Sequence, residues 1–586
     1  MEKLWRYRSG LEGFTPAMAD ELSRGCGVSP ELARLLWLRG VRSAAEGRVF
    51  LDAGLRSLEA PQRWPGMQEA ASLLARVLEQ GGRLAIWGDY DVDGITGTAL
   101  ALEVLRFHGH DALWHIPERQ GEGYGMNIAG VEDLHSRGAA VLLTIDCGIS
   151  DAAPIARARE LGMAVVVTDH HLPPEHLPPA HVVCNPRVGG GPCLHLAGVG
   201  VIFYVMAALN SLLAAQSGRK MDMRRVLDLV ALGTLADLVE LQGQNRILVK
   251  NGLRILADAG RPGISELKAV SGFTPSAALT AGQVVFSLAP RINAAGRMAS
   301  ARIALDLLRT ADFGEARSLA EKLNSCNAQR RQEEEAICRE AMAEAEARAA
   351  DPAFVIAGGD WNQGVIGIVA SRIVERFNKP VLVLCRDGES LKGSGRSIEG
   401  FDLHAGLAQC AGDLQGFGGH RMAAGIRLLP EKLDDFRSHF LGVVRDALGP
   451  GPVPPVQRID GDLDFRAASD FTFLKELELL QPFGAGNPEP VFLSPPVLVQ
   501  RVRHFGAQRS HAMLDLTDEK SRVTLKAKAW RQADRFGAEL EGRRLRIAYS
   551  PCIDMYNGVA GVDVKIRDWR ADDGESPMET PQETAS

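Results

Sequence analysis

Acidic residues and histidines directly follow three apolar runs of the chain, and side chains of these types bind divalent metal ions. The runs LAIWG, VLLTI and AVVVT are followed, in turn, by Asp89, Asp91 and Asp93, by Asp146, and by Asp169, His170 and His171. Unit charges about 4 Å apart repel each other by roughly 4 kcal/mol at an effective dielectric constant near 20, so clustered carboxylates require cations. Oxygen ligands with few imidazoles suit Mn²⁺ or Mg²⁺ better than Zn²⁺, and the sequence therefore predicts a manganese or magnesium site.

The elements that must position these residues form an alternating pattern over about residues 50 to 250. Short β-rich runs are separated there by helical stretches such as GTALALEVLRFHG, which is typical of a parallel sheet with helices on both faces. In a doubly wound sheet, residues past the carboxyl ends of the strands converge on one crevice. The alternative is that each acid caps the helix after its strand. The same pattern at three strand ends favours the metal cluster.

A further acid, Asp237, interrupts the apolar helical stretch ALGTLADLVEL. A buried aspartate is unfavourable without a partner, and the alternative is that its side chain faces solvent. If Asp237 enters the crevice, it completes a site for two ions, one activating water and both stabilising an in-line displacement at phosphorus. This arrangement predicts metal-assisted hydrolysis of a phosphate ester.

The 586 residues are too many for one hydrophobic core, so several domains are expected. The stretch 301–349 is helical in pattern and lacks proline, and AFVIAGG begins a second α/β pattern after it. GPGPVPP is predicted to be a linker to the β-rich segment that follows. The predicted divisions are an N-terminal helical leader (1–50), an α/β domain (51–300), a helical connector (301–350), a second α/β domain (351–448), a β-barrel (456–570) and a disordered acidic tail (571–586).

The composition, with 46% hydrophobic and 24% charged residues, is that of a soluble globular protein. We expect a cytoplasmic protein without a membrane partner, because no targeting leader and no run of eighteen apolar residues is found. The nine cysteines include no CxxC pair and indicate neither a disulfide framework nor a zinc ribbon.

Charge is distributed unevenly along the chain. The formal net charge is −7, but residues 501–570 contain 15 Lys and Arg against 9 Asp and Glu, a local balance of +6. The aromatic residues among these charges are Phe505, Trp530, Tyr549 and Tyr556. One interpretation is a slightly basic β-domain whose aromatic residues form its core. The other is a surface for nucleic acid.

Four motifs, DYDVDG, TIDCG, TDHH and GTLAD, resemble in this order those of the DHH phosphoesterase family. GSGRS and GFGGH resemble the associated DHHA1 domain. EGYG, PRINAAGRM, WNQGVIGIVASR and QPFGAGNPEP resemble the branch of this family that degrades single-stranded DNA from the 5′ end. The resemblance covers about residues 80–490. It extends to about residue 570 when the weaker barrel pattern is included. It implies a doubly wound parallel-sheet DHH domain, a long helical connector, an α/β DHHA1 domain and a β-barrel OB-fold.

The resemblance also implies the catalytic and metal-binding residues. Two Mn²⁺ or Mg²⁺ ions are expected on Asp91, Asp93, Asp146, His170 and Asp237, with His171 beside the scissile phosphate. Asp89 lies in the same motif and is a further expected ligand, or a residue that orients one. The implied reaction is attack of metal-activated water on the phosphodiester, which releases 5′-mononucleotides in the 5′→3′ direction during DNA recombination and repair.

Substrate contacts are implied in the glycine-rich and arginine-containing motifs, whose donors suit phosphate oxygens. The expected residues are Arg291, Asn293, Arg297, Asn362, Arg396, Ser397 and His420. Asn362 departs from the family pattern WHxG, which has a histidine at this position. Asparagine can donate a hydrogen bond but cannot be protonated. Bases of single-stranded DNA are expected to stack on aromatic rings or lie in a groove beside them, at Tyr124, Phe505, Trp530 and Tyr556.

The implied substrate is single-stranded DNA with a free 5′ end, and a helicase and a single-strand-binding protein are the expected partners of a monomer. A phosphodiesterase of the same superfamily, acting on oligoribonucleotides or small nucleotides, is the alternative, although the chain length, PRINAAGRM and the third domain argue against it. A metal-free scaffold would lack ligands that are present here. A non-catalytic single-strand-binding protein would leave the acidic residues unexplained.

Overall fold

The computed structural model describes residues 2–118, 122–123, 125–258, 260–449, 451–506, 508–556 and 559–572. They form two compact units. The first unit contains residues 60–237 and 252–454, and the second contains residues 2–59, 238–251 and those from 455 onward.

The N-terminal segment contains three helices and starts with a strand that the sequence did not predict. Its elements are β1 (Leu4–Tyr7), α1 (Pro16–Cys26), α2 (Pro30–Trp37) and α3 (Ala44–Asp52). Each helix begins after a hydroxyl side chain that accepts a backbone N–H of the first turn, namely Thr15, Ser29 and Ser43. The segment belongs to the second unit, where β1 pairs in parallel with the strand Val456–Ile459.

The first unit contains a five-stranded parallel sheet with helices around it. In chain order, its elements are α4 (Met67–Glu79), β2 (Arg83–Gly88), α5 (Val92–Phe107), β3 (Leu113–His115), α6 (Ile128–Ser136), β4 (Ala139–Ile145), α7 (Ala152–Glu160), β5 (Ala164–Thr168), β6 (Val182–Cys184), α8 (Gly198–Ser217) and α9 (Leu227–Ala236). The strand order is β3-β2-β4-β5-β6. From β2 the chain continues to β3 on one side, and from β4 it continues to β5 and β6 on the other side. A crevice therefore opens beyond the carboxyl ends of β2 and β4, where the strand order reverses.

Helix α8 is long and apolar enough to cross a membrane, the one such helix among the described residues. The structure places it in the protein core instead, with 72% of the apolar window buried. Its neighbours are α4, α5 and α9, which explains its uniformly apolar sequence.

Helices connect the parallel sheet to the second α/β domain. They are α10 (Gly243–Ala257), α11 (Pro262–Val270), α12 (Ala281–Gln283), α13 (Ala289–Met298), α14 (Arg302–Arg309) and α15 (Phe313–Ala347), with a short π-helix at Val284–Leu288. The long helix α15 corresponds to the predicted connector. Residues 238–251, predicted within the first domain, belong to the second unit, where the guanidinium of Arg246 donates to the carbonyl oxygens of Phe50 and Leu480.

The second α/β domain is also part of the first unit. Its elements are β7 (Phe354–Ala357), α16 (Ile366–Phe377), β8 (Val381–Asp387), β9 (Ser390–Arg396), α17 (Leu403–Gln409), β10 (Gly416–Gly419), β11 (Ala423–Leu428) and α18 (Leu433–Leu448). The strand order is β10-β11-β9-β8-β7, in which only β7 and β8 pair in parallel. Apolar side chains of the sheet, α17 and α18 form the core of this domain.

The C-terminal elements form a closed barrel. They are β12 (Val456–Ile459), β13 (Gly461–Asp462), α19 (Phe465–Ala468), α20 (Phe471–Leu479), β14 (Phe492–Leu493), β15 (Val497–Phe505), β16 (His511–Asp518), β17 (Val523–Ala529), β18 (Arg544–Tyr556) and β19 (Val559–Ala571). Strands β15, β16, β17, β19 and β18 pair in this order, and β18 pairs again with β15. Five strands closed in this order form an OB-fold. The predicted tail from residue 573 lies outside the described residues.

Candidate metal centre and substrate contacts

The strand-end acids converge at the crevice between β2 and β4. Asp91 is the N-cap of α5, where its Oδ1 accepts the Gly94 N–H at 3.1 Å, and Asp93 lies in the first turn of that helix. Asp146 follows β4 with a left-handed backbone, φ +63°. The capping interpretation therefore holds for Asp91, and a residue that caps a helix with one oxygen still has another oxygen for a ligand.

All six predicted metal ligands are brought together. Three sets of ligand atoms each lie within 4.8 Å of one another, formed by Asp89, Asp91 and Asp146, by Asp93, His170 and Asp237, and by Asp146, His170 and His171. His170 Nε2 is 3.1 Å from Asp146 Oδ1 and 3.5 Å from Asp237 Oδ2. We call Asp89, Asp91, Asp93, Asp146, His170 and Asp237 the acidic cluster.

The electrostatics of the acidic cluster fit divalent cations. Burial and the repulsion of nearby carboxylates raise the pKa of Asp93 to about 7, raise that of Asp237 to about 9, and raise that of Asp146 well above its usual range. Burial, with the charge of His171, lowers the pKa of His170 to about 3. Asp146 Oδ1 and His170 Nε2 are buried and make no hydrogen bond within the described structure. Crowded carboxylates with one neutral imidazole form a donor set that suits Mn²⁺ or Mg²⁺.

Asp237 lies at the carboxyl end of α9, as its C-cap, and its side chain is 23% exposed. Its carboxylate is directed toward His170. The alternative that this side chain faces solvent is therefore wrong. A negative charge at a helix C-terminus is unfavourable, because the helix dipole has its negative end there. A bound cation would offset both this interaction and the repulsion from Asp93.

Asp169 orients the two histidines, a role that the sequence analysis did not assign. Its Oδ1 accepts His171 Nδ1–H and the His170 backbone N–H, both at 2.7 Å, and its Oδ2 accepts the Ile149 N–H at 3.0 Å. Burial alone would lower the pKa of His171, but the Asp169 hydrogen bond and the nearby carboxylates raise it to about 9. His171 therefore holds a proton beside the acidic cluster.

Two backbone features at the start of α8 also position the acidic cluster, and the sequence analysis missed both. The N–H groups of Gly198 and Val199 donate to the two carboxylate oxygens of Asp93, at 2.7 and 2.9 Å. A Cβ at Gly198 would lie 2.5 Å from Asp146 Oδ1. Glycine is therefore required for this close approach. The pattern AGVGV at the start of an apolar helix was the sequence feature that could have indicated it.

We expect the affinity for Mn²⁺ to rise with pH. Asp93 and Asp237 hold protons below their raised pKa values of about 7 and about 9, and a cation must displace these protons. Affinity should increase by at least about tenfold per pH unit between about pH 7 and pH 8, where Asp237 must ionise, and more steeply where Asp93 and Asp146 must ionise too. Isothermal titration calorimetry in buffers of different ionisation enthalpy measures the protons released. An affinity that is constant between about pH 6 and pH 8 would contradict this assignment.

The predicted substrate residues of PRINAAGRM lie on α13. The guanidinium of Arg291 donates to Asn324 Oδ1 at 3.0 Å and to the carbonyl oxygens of Ser287 and Val270 at 2.6 and 3.1 Å. These bonds give Arg291 a packing role, and a phosphate contact would require them to break. Asn293 is half-buried, and Arg297 donates to the Gly364 carbonyl oxygen. The helix itself lies beside the first metal motif, because a Cβ at Gly296 would contact the Tyr90 carbonyl oxygen at 3.2 Å.

In the second α/β domain, two predicted substrate residues have their side chains bonded within the protein. Asn362 donates to Glu333 Oε2 at 2.7 Å and accepts the Gly364 N–H at 2.8 Å. Ser397 is buried and donates to the Phe401 carbonyl oxygen at 2.8 Å.

Two other predicted substrate residues of this domain lie in or next to strands. Arg396, at the end of β9, donates to Ser394 Oγ and to the Gly395 carbonyl oxygen. His420 follows β10, and its pKa is lowered by burial and then by the charges of His171 and Arg187. The structure thus brings His420 near His171 of the first domain, and its place near phosphate stays a prediction.

Two of the predicted stacking residues lie together on the barrel. Phe505 and Trp530 have ring centroids 5.4 Å apart, and His511 lies 4.9 Å from Trp530. Trp530 is 49% exposed, so a face of this aromatic group is open to solvent. Tyr549 is instead a core residue, as the alternative interpretation had it, with its hydroxyl donating to the Leu463 carbonyl oxygen. Tyr124 and the side chain of Tyr556 lie outside the described residues.

Comparison with known proteins gives matches to three family models. They are the DHH family N-terminal domain over residues 83–234, the DHHA1 domain over 351–446 and the RecJ OB domain over 459–568. The single-stranded-DNA-specific exonuclease RecJ of Dickeya dadantii (strain 3937) is 40% identical over 484 residues, which are 79% of this chain and 82% of that protein.

Solved structures agree with these matches. The crystal structure of RecJ from Thermus thermophilus in complex with Mn²⁺ has a TM-score of 0.81 and 32% identity, and covers 97% of this chain and 79% of that chain. The structure of the complex with Mg²⁺ has a TM-score of 0.76 and 30% identity, over 97% and 78%.

The doubly wound sheet, its acidic cluster and the DHHA1 domain define a phosphoesterase of the DHH class. The barrel and the identity over most of the chain are more specific. Within that class, the chain belongs to the RecJ family of single-stranded-DNA-specific exonucleases.

Proposed function

We propose that this chain is a metal-dependent exonuclease that degrades single-stranded DNA from its 5′ end and releases 5′-mononucleotides. The observation that carries the proposal is the convergence of the six residues of the acidic cluster at the crevice of a doubly wound sheet, in a member of the RecJ family. Its relatives are named single-stranded-DNA-specific exonucleases.

The acidic cluster would hold two divalent ions. Mn²⁺ or Mg²⁺ is the proposed metal, because structures of the Thermus thermophilus relative are in complex with these ions. Bound ions of this kind lower the pKa of water and stabilise the charge that develops on a phosphate. Asp169 holds the ring of His171 through Nδ1, and the charge of His171 suits a position beside the scissile phosphate. His420 would add a donor from the second α/β domain.

Digestion of labelled strands tests the proposed activity and its polarity. We expect immediate release of a mononucleotide from a 5′-labelled single strand and stepwise shortening of a 3′-labelled one, with Mn²⁺ or Mg²⁺ present. A duplex should remain intact, and EDTA should stop the reaction. Degradation from the 3′ end would contradict the polarity. Absence of DNA cleavage with either ion would favour a phosphodiesterase for oligoribonucleotides or small nucleotides.

The exposed aromatic group of the barrel is proposed to stack on DNA bases. Trp530→Ala should weaken the binding of single-stranded DNA by about 5- to 150-fold, because stacking contributes about 1–3 kcal/mol per base. Fluorescence anisotropy with a labelled oligonucleotide measures this change. Phe471→Ala is the matched control, since Phe471 is a 39% exposed aromatic residue of the same unit outside this group. Equal effects of the two substitutions would count against stacking on Trp530.

Cellular context follows from the proposed substrate. Single-stranded DNA with a free 5′ end arises in recombination and repair, so we infer that a helicase supplies the strand and that a single-strand-binding protein covers it. We infer further that the chain acts in the cytoplasm as a monomer. Analytical ultracentrifugation tests the monomer, and a stable dimer at micromolar concentration would exclude it.

A further inference from the structure

A cavity of about 640 Å³ lies in the first unit, and none of the residues discussed above as metal ligands or substrate contacts line it. Its walls come from α5, from the segment before α9, from the ends of α10 and α14 and from the start of α11. Binding sites for small ligands usually have volumes of about 300–1,000 Å³. The cavity is therefore large enough for a nucleotide.

The charged residues of the cavity are five arginines and four acids, and three of these acids are already paired. Arg261 Nε is 2.8 Å from Asp228 Oδ2, and Arg261 Nη1 is 2.8 Å from Glu103 Oε2. Arg224 Nε is 2.9 Å from Asp222 Oδ1. These contacts leave Asp258 as the one acid of the lining without such a pair among the described residues.

Three further arginines of the lining, Arg106, Arg225 and Arg309, make no side-chain hydrogen bond or ion pair in the part of the chain that the structure describes. Arg309 is half-buried. Burial lowers the pKa of Arg309, the charges of Asp306 and Asp111 oppose this, and the charges of Arg106 and Arg302 add to the lowering. A guanidinium that loses water without gaining a partner is unfavourable, and an anion would relieve this.

The chemistry of the walls indicates which anion fits. Guanidinium groups bind phosphate through pairs of directed hydrogen bonds. Beside the arginines, the lining includes the apolar side chains of Ala99, Leu102 and Ile255, which suit a base or a sugar. We propose that this cavity binds a nucleotide, with its phosphates on Arg106, Arg225 and Arg309.

This site is separate from the acidic cluster and does not depend on the proposed nuclease activity. Thirteen residues of α5 separate Asp93 from Arg106, which corresponds to roughly 20 Å at 1.5 Å per residue. Helix α9 likewise has Asp228 in the cavity wall near its start and ends at Asp237. An occupant would thus contact the two helices that position Asp93 and Asp237.

Binding of a fluorescent ATP analogue to the full-length protein tests the proposal. The titration is done with Mn²⁺ and again with EDTA, because nucleotide held only by metal ions in the acidic cluster is lost in EDTA. We expect saturable binding that persists in EDTA. ATP and dAMP should compete with the analogue and adenosine should not, since phosphate is what the arginines recognise. If ATP competes more strongly, the natural ligand is a nucleoside triphosphate of the cell. If dAMP competes more strongly, the natural ligand is a mononucleotide product.

Substitutions locate the binding. Arg309→Gln and Arg225→Gln should each weaken it by about tenfold or more, as expected for a charged hydrogen bond. Arg225 is exposed, so its substitution leaves the fold intact even if Arg309→Gln disturbs it. Arg137→Gln is the control and should bind as the unmodified chain does, because Arg137 is an exposed, ion-paired arginine of the same unit outside this lining. Absence of saturable binding in EDTA, or equal affinity in all three variants, would overturn the proposal.

Discussion

Asp146→Asn should lower kcat/KM for single-stranded DNA by about 10³-fold or more while leaving the affinity for DNA nearly unchanged. Asp146 is 1% exposed and belongs to two of the three sets of ligand atoms, so it is the carboxylate shared most widely in the acidic cluster. Substitution of residues that only support a metal ligand already reduces affinity or activity by about 10- to 100-fold, and loss of a shared ligand should exceed this.

Asparagine has nearly the shape of aspartate, so this substitution removes a charge without creating a cavity. Removing one carboxylate also relieves repulsion, because burial and the charges of Asp93, Asp91 and Asp237 raise the pKa of Asp146. We therefore expect the metal-free variant to be at least as thermally stable as the unmodified chain. Loss of activity together with retained stability would separate a metal-binding role from a folding role.

Rates come from gel-resolved digestion, and anisotropy gives DNA affinity. Asp133→Asn is the control, since Asp133 is an exposed acid of the same unit in an ion pair with Arg137. The control should retain full activity. Normal turnover in Asp146→Asn would show that Asp146 holds no catalytic ion.

Gly198→Ala should reduce nuclease activity by about 100-fold, although it adds only one methyl group. The new Cβ would lie 2.5 Å from Asp146 Oδ1 and 2.8 Å from Asp146 Cβ, so the aspartate and the helix terminus must separate. The same movement disturbs the hydrogen bonds from the Gly198 and Val199 N–H groups to Asp93. Two ligands are thereby displaced, and small displacements of reacting groups reduce rates by about this factor.

Mn²⁺ affinity distinguishes displacement of ligands from general unfolding. Gly198→Ala should bind Mn²⁺ more weakly, with the far-ultraviolet circular dichroism unchanged. Gly282→Ala is the matched control, because a Cβ at this helical glycine has nothing within 4 Å. Gly282→Ala should bind Mn²⁺ and cleave DNA normally. Unchanged Mn²⁺ affinity in Gly198→Ala would show that the backbone shifts without disturbing Asp93 and Asp146.

The sequence by itself determined the type of fold and indicated those members of the acidic cluster that directly follow strands. Alternation of strands and helices is a local property, and acids placed directly after buried strands must lie at one edge of a parallel sheet. The structure brings together Asp89, Asp91, Asp93, Asp146, His170 and Asp237. Their role as ligands of divalent ions stays a prediction. The sheet order accounts for the proximity of the five residues that follow strands, whereas the packing of α9 against α5 brings Asp237 to them.

Only the tertiary structure decided what surrounds these residues. The backbone bonds to Asp93 come from residues 105 and 106 positions away, and the packing role of Arg291 depends on Asn324 of another helix. The pairing of β1 with β12 joins segments more than 400 residues apart. Such contacts have no local pattern in the chain, because they depend on which surfaces meet after each element has formed. For the same physical reason, a motif can indicate that Arg291 or Ser397 matters, but not whether its donors face a substrate or the protein interior.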